Sequence, residues 1–137
     1  MDRLEQAAQV IGEALCMHEA LVRLGFSPRD VRIQLAYTAT PELAMFPERT
    51  KMHDVCLWVG ISYGGGWKTW RYCIGPAGIG GVEFERLFFT KTQEFNSLQG
   101  AEGERVWEAS RAKALLPDVR ESIKRKGIPI PADGRSS

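Results

Sequence analysis

Three consecutive glycines, Gly64-Gly65-Gly66, separate two runs that alternate in polarity, and this arrangement constrains the fold more than any other stretch. Ahead of them, Val55, Leu57, Val59, Ile61 and Tyr63 fall on one side of an extended segment, and Cys56, Trp58, Gly60 and Ser62 on the other. A period of two sends successive side chains to opposite faces of a strand. Apolar residues occur in both sets, so both faces are expected to be covered. Beyond the glycines, Trp67 to Ile74 reads as a returning strand, closed by Gly75-Pro76. Glycine takes positive φ without steric cost, so the triplet reverses the chain and the two runs form an antiparallel hairpin.

What can pack on that hairpin follows from the flanking periodicities. Leu4, Ala7, Ala8, Ile11, Ala14, Leu15, His18, Leu21 and Val22 recur at helical spacing, and Gly25 followed by Phe26 supplies a Schellman stop. Asp2 suits the positive end of this helix. Ser27-Pro28-Arg29-Asp30 reads as one tight turn. Val31, Ile33, Leu35 and Tyr37 alternate with polar or small neighbours and predict another strand. Thr40-Pro41-Glu42 opens a short helical turn through Met45 or Phe46, stopped by Pro47, and Glu48 to His53 is a loop.

Phe84, Leu87, Phe88, Lys91, Phe95 and Leu98 fit a helix broken by Gly100, although Val82, Phe84, Arg86 and Phe88 also alternate as a fourth strand would. Glu104 to Leu116 is rich in helix formers. Pro117 then starts or kinks a further segment that ends in Lys124-Arg125-Lys126 and Gly127. The predicted fold class is α+β: an N-terminal helix, a three-stranded, mostly antiparallel sheet, and two to three C-terminal helices on one face. Residues 1–127 form a single domain in this reading, and 128–137 an extended C-terminal tail, mobile at its end.

Composition bears on function chiefly by exclusion. The 137 residues are 44% hydrophobic and 26% charged, enough for one stable core, and the formal net charge of +1 carries no polybasic signature. Cys16, Cys56 and Cys73 include no C-x-x-C pair, so neither a disulfide framework nor a zinc ribbon is indicated. Free thiols, the absence of an apolar leader after Met1 and the shortness of the apolar run Val55–Ile61 point to a cytoplasmic protein with no membrane partner.

Neither glycine cluster satisfies a phosphate-binding pattern. Gly60 to Thr69 ends Gly-Gly-Trp-Lys-Thr, with Trp67 where a Walker loop needs glycine, and Gly75, Gly78, Gly80 and Gly81 lack the Gly-x-Gly-x-x-Gly spacing. A small-molecule or nucleotide site at the Gly75–Gly81 turn, with Cys73, His53 or Glu83 beside it, is the second alternative to a binding face. Cys16 and His18, two apart on a helix, diverge and make a poor metal pair. No local signature of nucleophilic catalysis surrounds any cysteine, so neither an enzyme nor a cofactor or metal is expected.

The densest aromatic and basic cluster is Trp67, Lys68, Trp70, Arg71 and Tyr72. Alternation puts Lys68, Trp70 and Tyr72 on one face and Trp67 with Arg71 on the other. Trp, Tyr and Arg are the common anchors of protein interfaces, so a protein partner, a second copy included, is the leading expectation. Aromatics interleaved with cations also bind single-stranded nucleic acid. That alternative would use the same hairpin together with Arg120, Lys124, Arg125 and Lys126.

Two passages, Leu21 to Leu35 (Leu-Val-Arg-Leu-Gly-Phe-Ser-Pro-Arg-Asp-Val-Arg-Ile-Gln-Leu) and Lys124 to Pro131 (Lys-Arg-Lys-Gly-Ile-Pro-Ile-Pro), resemble short uncharacterised proteins carried by bacterial mobile elements. The resemblance covers under a fifth of the chain and carries no catalytic residue. It implies a phage or plasmid accessory protein of the kind that binds, and often inhibits, host machinery such as defence complexes.

Overall fold

A computed structural model describes residues 3–38, 54–73, 81–98 and 100–134. Helix α1, Arg3–Arg23, is the longest element. Its apolar residues are buried on two sides: Ala7, Ile11, Ala14 and Leu21 belong to the main core, while Cys16 and Ala20 join a second cluster with Trp107 and Ala112. The helix stops as its sequence predicts. Gly25, at φ +98°, donates its N–H to Val22 O (3.0 Å) and Phe26 donates to Leu21 O (3.3 Å). These two bonds satisfy carbonyls that a helix end otherwise leaves open. Pro28–Asp30 then makes a single 3-10 turn into the sheet.

The sheet has three antiparallel strands in sequence order: β1, Val31–Thr38; β2, Asp54–Tyr63; and β3, Gly66–Cys73. Gly64 and Gly65, at φ +65° and +82°, form the two-residue turn, and Gly66 already pairs with Tyr63. Two successive positive φ values match the twist of the flanking strands, which explains why glycine occupies both positions. Val31, Leu57, Val59 and Ile61 are buried on the inner face, with Ile33, Leu35, Trp70 and Tyr72 partly buried beside them. Helix α1 lies across all three strands on this face.

Five helical segments follow among the described residues: α2, Gly81–Ser97; α3, Gly100–Glu108; α4, Arg111–Ala114; α5, Leu116–Arg125; and α6, Pro131–Gly134. The stretch that could have been a fourth strand is helical. Phe84 is fully buried, Leu87, Phe88 and Phe95 are half-buried and Arg86 is exposed, a burial period of three to four rather than two. The helix-rich run after Glu104 is divided rather than continuous. Ser110 caps α4 by accepting from Lys113 N–H (3.1 Å) and donates its hydroxyl to Trp107 O (2.7 Å). A serine competing for backbone groups in this way ends one helix and starts the next. The break leaves Trp107 and Ala112 buried against α1. Pro117 occupies the first turn of α5, where its missing N–H costs nothing.

Arg23 ties α3 to α1. Its guanidinium donates to Glu19 (2.9 Å) and Glu104 (2.6 Å) and lies 4.5 Å from the centre of the Trp107 ring.

Residues 128–134 correct the expectation of a tail outside the domain. Ile128 and Ile130 are 3% and 5% exposed, within the main core. Ile128 N–H closes the end of α5 on Ile123 O (3.2 Å), and Ala132 N–H donates to Leu24 O (3.0 Å). Arg120 pairs with Asp133 at 2.7 Å. The two isoleucines, spaced by two, supply apolar area that no helix covers. The helical turn expected at residues 40–46, the loop to His53, the glycine turn at 75–80 and the Asp2 cap lie outside the described residues.

Because Ile130 is a core residue, Ile130→Ala is expected to lower the unfolding free energy by about 2–4 kcal/mol in urea titration. A loss below about 0.5 kcal/mol, as on an open surface, would contradict this placement.

Candidate partner-binding face

The hairpin divides its aromatic and basic residues between two faces, as the alternation predicts. Trp70 and Tyr72 point inward. Trp70 Nε1–H donates to Ser122 Oγ of α5 (2.8 Å), and Lys126 Nζ lies 5.1 Å from the centre of its ring. Burial, with smaller contributions from the charges of Glu13 and Cys16, pushes the Tyr72 hydroxyl up to about 12. Lys68 belongs to the same set by alternation but lies opposite Ile61 towards the turn, where it is exposed. Trp67 and Arg71 face outward, away from the helices, and are exposed, so the expected covering of both sheet faces fails at these outer positions.

The outer face brings two further residues to this pair. In the register, Arg32 is opposite Gly60, which is opposite Thr69; the next row is Gln34, Trp58 and Arg71; and Trp67 is opposite Ser62. The Arg32 guanidinium lies 4.6 Å from the centre of the Trp67 ring. The Trp58 and Trp67 ring centres are 5.8 Å apart, inclined at 52°. The site therefore draws one side chain from each strand, with Arg71 at its margin. Arg32, Trp67 and Arg71 are exposed and Trp58 half-buried.

Gly60 makes this convergence possible. A methyl group there would come within 2.9 Å of Trp58 Cζ3 and 3.1 Å of Thr69 Cγ2. The vacant side-chain position is the floor on which Trp58 lies, and it lets the residues of β1 and β3 approach across β2. Glycine inside a strand marks such a close approach. Neither Arg32 nor Trp58 was assigned to a site from sequence. The available signal was Gly60 beside Trp58 in a strand otherwise rich in large residues, but Arg32 could be added only once the register was known.

The basic C-terminal residues do not extend this face. Arg120 is paired with Asp133, Lys126 lies over Trp70 on the inner side, and Lys124 and Arg125 are exposed on the last turn of α5. The outer hairpin face and the end of α5 thus lie on opposite sides of the sheet. Of the residues placed beside the second glycine turn, Glu83 is exposed on the first turn of α2, and His53 lies outside the described residues.

Elsewhere, burial shifts the titration of two groups on α1. Burial is the main effect raising the pKa of the Cys16 thiol, against a hydrogen bond with Ser110, so the thiolate is disfavoured. Burial lowers the pKa of His18, partly opposed by Glu19. Among the described residues, no three His, Cys, Asp or Glu side chains converge as a metal site, and no helix is long and apolar enough to cross a membrane. No family model matches the chain, and comparisons with characterised proteins and with solved structures find no match.

If Gly60 is the floor, Gly60→Ala should overpack the face, costing about 1–3 kcal/mol and changing the near-ultraviolet circular dichroism of the tryptophan pair. Unchanged stability together with an unchanged spectrum would contradict that role. Tyr72 yields a pH prediction. The folded chain holds the hydroxyl proton up to about 12 and the unfolded chain only to 10.0, so stability should fall as pH rises between these values. Tyr72→Phe should flatten that part of the profile; an unchanged alkaline slope would count against burial of the hydroxyl.

Proposed function

We propose that this protein is a non-enzymatic binding module that docks an acidic segment of a protein partner on the outer face of its sheet. The observation that carries the reading is the Arg32–Trp67–Trp58 stack across three strands. Tryptophan and arginine dominate the energetic centres of protein interfaces. Here they are held against one another before any partner arrives, so less side-chain freedom is lost on binding. Charge selects the partner's chemistry. The outer positions around the stack, Arg32, Gln34, Trp58, Ser62, Trp67, Thr69 and Arg71, carry two cations, and the carboxylate that alternation adds to this face, Asp54, stands at the opposite end of β2.

A complementary surface supplies Asp or Glu to the arginines and apolar contact to the tryptophans. A second copy of the same face would set arginine against arginine, which disfavours self-association by this surface. Nucleic acid is the weaker alternative, because Arg32 already covers the Trp67 ring and the basic end of α5 lies on the other side of the sheet. The resemblance to accessory proteins of mobile elements makes a host complex the natural source of the partner.

The test starts from affinity purification in the native host with mass spectrometry, followed by titration of the purified partner. Trp58→Ala and Arg32→Ala should each weaken binding by about tenfold or more. Lys124→Ala with Arg125→Ala should leave binding within about twofold, since exposed charges away from the contact contribute little. Wild-type affinity in both outer-face variants would defeat the proposal. Steeply salt-dependent capture of single-stranded nucleic acid instead would favour the alternative.

A further inference from the structure

Inner-face Tyr72 borders a cleft beneath the helices. Its other walls are Glu13 and Met17 from α1, Arg111 and Ala112 from α4, and Leu115 and Val119 at the start of α5, around a volume of about 270 Å³. That exceeds the roughly 150 Å³ of an apolar cavity known to admit benzene. The lining combines an apolar wall with three polar groups, the usual constitution of a small-molecule site. Met17, Leu115 and Val119 supply the apolar contact, and a thioether favours aromatic rings.

The polar groups restrict the ligand's charge. Glu13 and Arg111 face each other at 3.7 Å, a loose pair whose side chains are 30% and 71% exposed. The pair is neutral as a whole, so a ligand carboxylate or ammonium would have to draw one member away from the other and leave its like-charged partner close by. An uncharged hydroxyl avoids this, because it donates to one group and accepts from another. The Tyr72 hydroxyl has no hydrogen-bond partner among the described residues, and it is not an enclosed orphan.

We propose that this cleft binds a small uncharged phenol, its ring against Met17 and Val119 and its hydroxyl donating to Glu13 while accepting from Tyr72. The site lies on the opposite side of the sheet from Trp58 and Trp67, so it stands independently of the docking face.

The experiment is a protein-observed NMR titration of the full chain with 4-methylphenol, toluene, benzoate and benzylamine at neutral pH. For 4-methylphenol, saturable shifts confined to residues around Met17, Tyr72 and Val119 are expected, with Kd on the order of 1 mM for so few atoms. Toluene should bind about fivefold more weakly, as should 4-methylphenol to Tyr72→Phe or to Glu13→Ala, the size of one lost hydrogen bond. Val119→Trp, which fills the cleft, should abolish the shifts, while Trp58→Ala should leave them. Three results would each overturn the proposal: no saturable shift with 4-methylphenol, equal or tighter binding of benzoate or benzylamine, or undiminished binding in folded Val119→Trp.

Discussion

Burial of α1 on two sides is the constraint from which the rest of the architecture follows. One side covers the inner face of the sheet, and the other, through Cys16 and Ala20, receives Trp107 and Ala112. A helix with apolar groups over so much of its circumference cannot remain at the surface. The C-terminal helices complete its enclosure, and Ile128 and Ile130 close the remaining gap beside Leu24 and Phe26. The ion pairs of Arg23 lie at the edge of this arrangement, partly exposed, and orient α3 more than they stabilise it.

With the helical layer on the inner side, the outer face must manage its own aromatic surface. It does so locally. Gly60 opens a floor, Trp58 lies on it, Trp67 leans against Trp58, and Arg32 covers Trp67. Exposed cation–π contacts of this kind are worth about 0.5–1 kcal/mol each, enough to order the side chains but too little to seal them. The result is a rigid aromatic surface, basic at its margins and open to solvent. The docking proposal rests on that combination, because a partner could displace water from rings that are already in place.

Local patterns were legible wherever one stretch of chain decides its own geometry. The first helix and its Gly25-Phe26 stop, the two-residue glycine turn and the separation of Trp67 from Trp70 all follow from spacing. The C-terminal helices were harder, because Ser110 interrupts a run of strong helix formers through a hydrogen bond that competes with propensity. Residues 128–134 read as a tail because two isoleucines alternating with prolines make too short a pattern to mark an element; what buries them is the gap left by α1 and α5. The candidate face was half legible. Alternation placed Trp67 with Arg71, but Arg32 and Trp67 meet only through a register set between strands distant in sequence.

The docking proposal has binding use the outer tryptophans and not the inner ones. The chain's four tryptophans provide four indole N–H reporters: Trp58 and Trp67 outside, Trp70 and Trp107 within. The most direct measurement is the set of indole resonances with and without the purified partner. The Trp58 and Trp67 signals are expected to shift while those of Trp70 and Trp107 hold their positions. Shifts confined to Trp70 and Trp107, with the outer pair unmoved, would contradict it.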